Sequence, residues 1–299
     1  MRLADLGELG LLAELERRGL ARAIDADAAH VPPDLVVTQD ALVEGVHFRL
    51  DWTSWRDLGW KAAAVNLSDL AASGAEPLGL VVTLAAPGTT AVADVLELYQ
   101  GVAETGVPVI GGDTAEAPQA VLGVTALGRS PRVPGRSGAG PGDVLVVTGP
   151  LGASAAGFEA LRHGIDSPLV RAHLRPPLRL EEGRRLAQVA TAMLDVSDGL
   201  ATDAGHLAAR SACRVVIELA EVPVADGVVE LAGRVNRSPW ELVCAFGEDY
   251  ELLAALPVED AAACGFAVVG RCEEGEGVAL LLSGEPLPLA GWEHFAAHD

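Results

Sequence analysis

Lysine is nearly absent from this chain, and acidic residues dominate its charge. Lys61 is the single lysine, and 42 Asp and Glu residues against 21 Lys and Arg residues give a formal net charge of −21. Such a surface repels the phosphates of nucleic acids and of anionic membranes instead of neutralising them. The composition therefore predicts neither a nucleic-acid partner nor a membrane partner.

Cysteine is scarce as well. The four cysteines lie in the second half of the chain and form no C-x-x-C pair: Cys213, Cys244, Cys264 and Cys272. This spacing disfavours a zinc finger and a disulfide framework. Reduced thiols packed in the core are the expected state.

Long apolar runs are also missing. The sequence contains no stretch of about eighteen uncharged apolar residues, the length that a bilayer-spanning helix needs. The first residues, 1–5, lack the basic segment leading into an apolar one that marks a secretory signal. We therefore expect a cytoplasmic protein.

Apolar residues are nevertheless abundant, at 50% of 299 positions, which is enough for the cores of two domains. Apolar runs alternate with amphipathic segments, which predicts alternating strands and helices. The predicted helices are 6–20, 55–74, 92–104 and 179–192, and predicted strands include 78–84, 107–110, 121–128, 144–148, 214–219 and 267–270. A stretch rich in Gly, Pro, Arg and Ser at 129–142 is the predicted linker. It divides the chain into domains 1–138 and 139–299.

Aspartates recur after apolar runs, each within a small polar segment. They are Asp40 after the run that starts at Leu35, Asp69 in NLSDL, Asp113 in GGDT, and Asp195 and Asp198 in DVSDGL. One such Asp is an ordinary turn residue, but turn chemistry does not require the repetition. We expect the carboxylate of Asp40 at the end of a strand. Oxygen ligands of this kind suit Mg²⁺ bridging to substrate phosphates, which indicates a nucleotide.

A glycine-rich turn at 149–157 superficially resembles a phosphate-binding loop. It has no Gly-Lys-Ser/Thr ending, and the single lysine lies elsewhere, so a P-loop mechanism is excluded. Gly111 and Gly112, directly before Asp113, instead let backbone amides approach a phosphate or a hydrated metal.

Taken together and in order, these motifs resemble the thiamine-monophosphate kinases, members of a superfamily of ATP-binding proteins that includes aminoimidazole ribonucleotide synthetase. The matching strings span nearly the whole chain: TQDALVEGVHF at 38–48, KAAAVNLSDLAASGAEP at 61–77, IGGDT at 110–114, RSGAGPGD at 136–143, DVSDGLATDAGH at 195–206, GEDYEL at 247–252 and GWEHF at 291–295.

The resemblance implies a two-domain fold of the aminoimidazole ribonucleotide synthetase type. An N-terminal α/β domain would form a β-barrel across a homodimer, and a C-terminal α+β domain would follow. ATP and several Mg²⁺ ions would lie between the domains. The implied enzyme is a magnesium-dependent kinase that converts thiamine monophosphate to thiamine diphosphate, the last step of thiamine diphosphate biosynthesis.

The same resemblance implies the site residues by position. The metal ligands are Asp27, Thr38, Gln39, Asp40, Asp69, Asp113, Asp195 and Asp198. The nucleotide contacts are Gly112, Asp113, Arg136 and Ser197, and the substrate contacts are His47, Glu248 and Trp292. A thiazolium cation favours a carboxylate and an aromatic face, which Glu248 and Trp292 can supply. Asp40 and Asp198 are the predicted catalytic residues, because removing either would leave triphosphate charge uncompensated.

Two positions depart from the family pattern. The family's Gly-Asp-Asp stands here as Asp25-Ala26-Asp27, and its Ser/Thr-Thr-Asp stands as Thr38-Gln39-Asp40. If the family's middle residue acts through its backbone carbonyl, the change to Gln39 has no effect on the metal site. The first of these departures affects Asp27, whose assignment as a metal ligand depends on it more than that of any other residue.

Structural roles compete with each functional one. His47 can be a core histidine, Trp292 a core anchor, and Glu248 an exposed turn acid. For the whole chain, the alternatives are another ATP-using synthetase of the superfamily and a magnesium-nucleotide binding protein without turnover. A selenophosphate-type enzyme would need a Cys near its N-terminus, and a carbamoyl-transfer maturation protein a C-terminal one, whereas the first Cys is Cys213 and the chain ends Ala-His-Asp.

No Ser, Cys or His stands in a recognisable nucleophile setting. We therefore expect direct in-line attack of the substrate phosphate on the γ-phosphorus, without a phosphoenzyme.

Overall fold

The structure is a computed structural model, and it describes residues 3–21 and 27–289. The predicted substrate residue Trp292 and the string GWEHF lie outside the described residues.

The first domain is built on one mixed sheet. Its strands are β1 (Ala29–Val31), β2 (Leu35–Val43), β3 (Glu76–Ala86), β4 (Val109–Glu116) and β5 (Val121–Arg129). The order is β1-β2-β5-β3-β4, antiparallel except for the parallel pair β3 and β4. Alternate residues of β2, β5 and β3, such as Val36, Leu122 and Val82, are buried on one face, the period-2 pattern of a sheet covered on one side.

Three helices belong to this half: α1 (Leu3–Arg17), α2 (Trp55–Ala72) and α3 (Val92–Ala103). The side chain of Ser54 caps α2 by accepting a hydrogen bond from the amide of Asp57. Helix α2 is Ala-rich and almost wholly buried. Small residues let it approach α3 closely, since a Cβ on Gly59 would lie 1.9 Å from the carbonyl oxygen of Leu98.

The second domain is built on another mixed sheet. Its strands are β6 (Val144–Val147), β7 (Ala192–Asp195), β8 (Arg214–Glu218), β9 (Leu252–Leu256), β10 (Ala267–Glu273), β11 (Gly277–Leu282) and β12 (Glu285–Pro286), in the order β12-β11-β8-β10-β6-β9-β7. Its helices are α4 (Ala153–His163), α5 (Val170–Leu174), α6 (Leu180–Leu186), α7 (Leu200–Ser211), α8 (Val228–Arg234), α9 (Pro239–Cys244) and α10 (Val258–Cys264), with a 3-10 helix at Leu219–Glu221.

Helix α2 lies between the two domains. It packs on β2 and β5 of the first sheet and on α6 and β7 of the second domain. The indole nitrogen of Trp60 donates to the carbonyl of Pro176 at 2.9 Å. Arg175 pairs with Asp57 at 2.5 Å and with Glu104 at 2.6 Å. The two halves of the chain are therefore joined through the helix that carries Asp69.

The prediction that Asp40 ends a strand was wrong, and the strand predicted at 107–110 extends further than expected. Strand β2 continues past Asp40 to Val43, and β4 continues past Asp113 to Glu116, so neither carboxylate ends a strand. Ladder hydrogen bonds to neighbouring strands carry the backbone through these polar residues. Asp195 does end its strand, and the four cysteines are free thiols, as expected. In the described ranges, no helix has both the length and the apolar character needed to cross a bilayer.

Candidate active site

Polar residues of α2 contact groups from three other segments. Lys61 contacts Glu248, and the side-chain oxygen of Asn66 accepts a hydrogen bond from the amide of Asp40 at 3.0 Å. Ser68 donates to Asp195 at 2.6 Å, and Asp69 accepts from Thr38. The motif KAAAVNLSD is therefore a template that positions residues of both domains. Asn66 and Ser68 are buried, and the sequence prediction missed their role.

Three predicted metal ligands meet at the C-terminal part of this helix. Asp27, Asp69 and Asp195 each offer an oxygen, and these oxygens lie within 4.8 Å of one another. Thr38 bridges this group, because its hydroxyl contacts both Asp69 and the carbonyl of Asp27. Arg136, predicted to contact the nucleotide, pairs with Asp27 at 2.6 Å.

The carboxyl groups of this cluster, and of Asp40 beside it, resist ionisation. Burial, and then the charges of Asp40, Asp195 and Asp27, raise the pKa of Asp69 well above its ordinary value. Burial and the charge of Asp27 raise the pKa of Asp195 to about 8. Burial and the charges of Asp198 and Asp27 raise the pKa of Asp40. Oxygen donors that lack compensating charge fit divalent cations such as Mg²⁺, which would lower these pKa values again.

Asp198 stands in a second group. Oxygens of Asp198 and Asp203 and a ring nitrogen of His206 lie within 4.8 Å of one another, and Asp203 also accepts the amide of Asp198 at 3.0 Å. Burial, followed by the charge of Arg136, lowers the pKa of His206 to about 4, so its ring is neutral. Asp203 and His206 were not predicted as site residues. Their spacing on one face of α7, in the string DVSDGLATDAGH, is the signal that could have indicated them.

The segment 195–199 runs beside the segment 247–251. The amide of Glu248 donates to the carbonyl of Ser197 at 2.8 Å, and the amide of Tyr250 donates to the carbonyl of Val196 at 2.9 Å. A Cβ on Gly247 would lie 2.1 Å from the carbonyl oxygen of Ser197, so the close approach requires glycine. The string GEDYEL thus places Glu248 next to the acidic groups.

Glu248 is engaged about two turns of α2 before Asp69. The ammonium of Lys61 lies 3.0 Å from one of its carboxylate oxygens, and Nδ1 of His173 lies 3.2 Å from the other. Burial opposes ionisation of Glu248, but Lys61 and His173 outweigh it and lower its pKa to about 2. Glu248 is therefore an ionised carboxylate and a paired one.

Aromatic rings of both domains gather around His173. The ring of Phe158 lies 6.0 Å from Trp52, 5.5 Å from His173 and 4.9 Å from Phe246, between centroids. Trp52 comes from the first domain, and the other rings come from the second. Trp52, Phe158 and Phe246 are half-buried, and together they form an aromatic wall beside Glu248. None of these three was among the predicted site residues.

Other predicted residues lie apart from the acidic groups within one chain. Asp40, Val124, Val82 and Gly112 are successive cross-strand neighbours. Gly112 and Asp113 are thus three strand spacings from Asp40, about 14 Å. Strand β4, which carries both, is exposed along its length.

Gln39 and His47 also face other partners. The side chain of Gln39 accepts a hydrogen bond from Thr125 at 3.3 Å, on the sheet face opposite Thr38 and Asp40. Nδ1 of His47 accepts the amide of Val43 at 3.1 Å. Its neighbour Phe48 is in the core.

The glycine-rich turn before α4 is occupied by the protein itself. The carboxylate of Asp249 accepts the amides of Gly152 at 2.7 Å and Ser154 at 3.2 Å. A carboxylate at a helix N-terminus takes the place that a phosphate would need. The exclusion of a P-loop is consistent with this arrangement.

The chain matches the family model of the AIR synthase related protein in both halves, with the N-terminal domain at residues 25–130 and the C-terminal domain at residues 140–282. The predicted domain boundary between 138 and 139 falls in the gap between these matches and stays a prediction.

Curated relatives and a solved structure cover most of the chain. Thiamine-monophosphate kinase of Aquifex aeolicus is 34% identical over 99% of this chain and 100% of its own length. That of Mycobacterium tuberculosis is 38% identical over 88% of this chain and 82% of its own length. The solved structure of AaThiL complexed with AMPPCP and TMP superposes with a TM-score of 0.91 at 34% identity, covering 98% of this chain and 99% of that one. These likenesses confirm the two-domain fold and the resemblance that the motifs indicated: the chain belongs to the thiamine-monophosphate kinase family.

Proposed function

We propose that this protein transfers the γ-phosphoryl group of ATP to thiamine monophosphate, with Mg²⁺, to give thiamine diphosphate. The observation that carries the proposal is the placement of the acidic groups and the aromatic wall along one helix, in a chain of this family. AMPPCP and TMP bound to AaThiL support the same pair of substrates.

Mg²⁺ would be held by oxygen ligands from both domains. Within one chain the ligands are Asp27, Thr38, Asp40, Asp69, Asp195 and Asp198, with Gln39 through its backbone carbonyl. When bound, the cations neutralise the charge of the phosphates. Arg136 and Ser197 line the same region and would contact the nucleotide. The charge of Asp198 adds to the burial that raises the pKa of Asp40, so the two carboxylates lie close together, and we assign them the central catalytic roles.

The chain's own residues orient the reaction. Asn66 holds the backbone of Asp40, and Ser68 holds the carboxylate of Asp195, so the ligand oxygens are fixed before substrate arrives. Ser68 is held by Asp195, and Ser154, which pairs with His173, is buried, so we propose that neither hydroxyl acts as a nucleophile. Direct in-line transfer follows. Trapping a covalent phosphoprotein during turnover with labelled ATP would contradict it.

A homodimer would complete the site. Val109 and Ile110 are 39% and 57% exposed on the edge strand β4, an open edge that isolated proteins usually protect. Pairing of two N-terminal sheets into a barrel would cover this edge and the open face of the sheet. Gly112 and Asp113 would then reach the acidic groups of a second copy.

Subunit mixing tests the composite site. Asp40→Asn and Asp113→Asn should each be nearly inactive as homodimers. A mixed dimer restores activity if Asp113 acts in the partner's site, because one of its two sites then carries neither substitution. Sedimentation analysis of the same samples gives the oligomeric state, and a monomer with full activity would contradict the dimer.

The reaction itself is tested by ADP release. The kinase releases ADP only when thiamine monophosphate is present, and thiamine diphosphate appears in equal amount. A synthetase of the superfamily would need another acceptor, and a nucleotide-binding protein would bind ATP without releasing ADP. Mass spectrometry of the products separates the three.

A further inference from the structure

The protonation of His173 follows from its neighbours. Its Nδ1 lies 3.2 Å from a carboxylate oxygen of Glu248 and 3.1 Å from the hydroxyl of Ser154. An ionised carboxylate can only accept hydrogen bonds, so Nδ1 carries the ring proton. Lys61, on the other side of Glu248, keeps that carboxylate ionised.

The second ring nitrogen is consequently an acceptor. Burial, and then the charge of Lys61, lower the pKa of His173, so the imidazole is neutral. Both described polar contacts of the ring use Nδ1, which leaves Nε2 with a lone pair. The ring stands 5.5 Å from Phe158 and 6.5 Å from Phe246, between centroids. A neutral acceptor is thus set against an apolar, aromatic surface.

Two hydrogen-bonded backbone segments connect the aromatic wall with the acidic groups. Glu248 and Ser197 are hydrogen-bonded neighbours, and Ser197 lies between Asp195 and Asp198. A substrate with a phosphate at one end and a flat heterocycle at the other can therefore span both. Thiamine monophosphate has this form, and its pyrimidine carries an amino group.

We propose that His173 determines specificity for the heterocycle. Its Nε2 accepts a hydrogen bond from the amino group of the pyrimidine, and the pyrimidine ring lies against Trp52, Phe158 and Phe246. The inference rests on the proposed function and adds to it the group that recognises the amino group of the substrate. Glu248, which Lys61 neutralises, positions His173 through Nδ1.

The test compares two substrates on one enzyme. One is thiamine monophosphate, and the other is its analogue in which an oxo group replaces the amino group of the pyrimidine. The wild-type enzyme should prefer the natural substrate in kcat/KM by about tenfold or more, since an oxygen facing Nε2 loses the donor and places two acceptors together.

Two matched substitutions locate the preference. His173→Asn keeps a polar group near Nδ1 and removes Nε2, so the two substrates should become nearly equal. His173→Gln places an amide oxygen near the position of Nε2 and should retain the preference. The KM for ATP should be unchanged in both. If the Asn variant does not fold, His173→Phe, which keeps a ring in the aromatic group, takes its place.

Several outcomes would overturn the inference. Equal kcat/KM of the wild-type enzyme for both substrates would show that it does not recognise the amino group. An Asn or Phe variant that folds and keeps the wild-type preference places the recognition elsewhere. A wild-type enzyme that releases no ADP with thiamine monophosphate refutes the proposed function itself, which is a different result from lost discrimination.

Discussion

Two carboxylate environments lie about two turns apart along α2, at the two ends of the site between the two domains. At one end, Asp27, Asp69 and Asp195 crowd together, with Arg136 paired to one of them, and the pKa of Asp195 is raised to about 8. At the other end, Glu248 is paired with Lys61 and His173, and its pKa is lowered to about 2.

The difference lies in what supplies the compensating charge. At Glu248 the fold supplies it, because the single lysine of the chain is directed at that carboxylate. At the aspartates the fold supplies too little, and the proposed Mg²⁺ ions would provide the rest. The charge of Glu248 is therefore compensated by the protein itself, whereas the aspartates fit the cations that we propose to arrive with the nucleotide.

The largest effect is expected on turnover. Asp40→Asn and Asp198→Asn should fold and lose about 100- to 1000-fold in kcat, the usual cost of one electrostatic stabiliser. Glu259→Gln, an exposed carboxylate on α10, is the control and should leave kcat unchanged. Near-normal turnover of either Asn variant at saturating Mg²⁺ would make that aspartate structural.

A smaller effect is expected on stability at the paired end. Glu248→Gln leaves the ammonium of Lys61, which is 1% exposed, without its counter-charge, at a cost of about 3 kcal/mol in the free energy of unfolding. Urea denaturation measures it. The double variant Lys61→Met with Glu248→Gln should recover much of the loss, because no buried charge then remains unpaired. Equal losses of stability in the single and double variants would show that the unpaired ammonium of Lys61 is not the cause of the loss.

The two ends should also respond to pH with opposite signs. Asp195, with a folded pKa of about 8 against 3.8, holds a proton that the unfolded chain releases, so its contribution to stability falls as pH rises from about 4 to 8. Glu248, with a folded pKa of about 2 against 4.5, contributes stability above pH 4.5 that is lost as pH falls towards 2. Thermal unfolding in EDTA should therefore show stability decreasing from pH 5 to 8. Asp195→Asn should flatten that slope, whereas an unchanged slope would remove Asp195 as its source.

The smallest effect is expected at Asp69. Without metal at pH 8, Asp69→Asn removes repulsion from Asp40, Asp195 and Asp27, and the protein should gain about 1 kcal/mol. The rise in Tm on adding Mg²⁺ should shrink in the same variant, since a ligand is lost. A variant that is less stable than wild type in EDTA would argue that Asp69 is satisfied by the fold, as Glu248 is.

Part of this site could be predicted from the sequence, because it is formed by residues that are close together along the chain. The stretch 55–74, which contains the string KAAAVNLSD, was predicted to be a helix, and α2 formed over nearly that span. The order of the seven strings was enough to indicate the family. Repetition of Asp in similar settings was enough to indicate a cation site, and Asp69 and Asp195 do meet.

The rest depended on contacts between distant residues. Whether a strand ends at Asp40 is decided by the ladder with β5, and the strand in fact continues. Lys61 and Glu248 are 187 positions apart, so local patterns do not reveal that the carboxylate is already neutralised. The sequence by itself determined which chemical groups this protein has and the helix that carries several of them. The tertiary structure alone decided which carboxylates are paired with a cationic side chain and which lack that compensation, because charge compensation depends on distances that only packing sets.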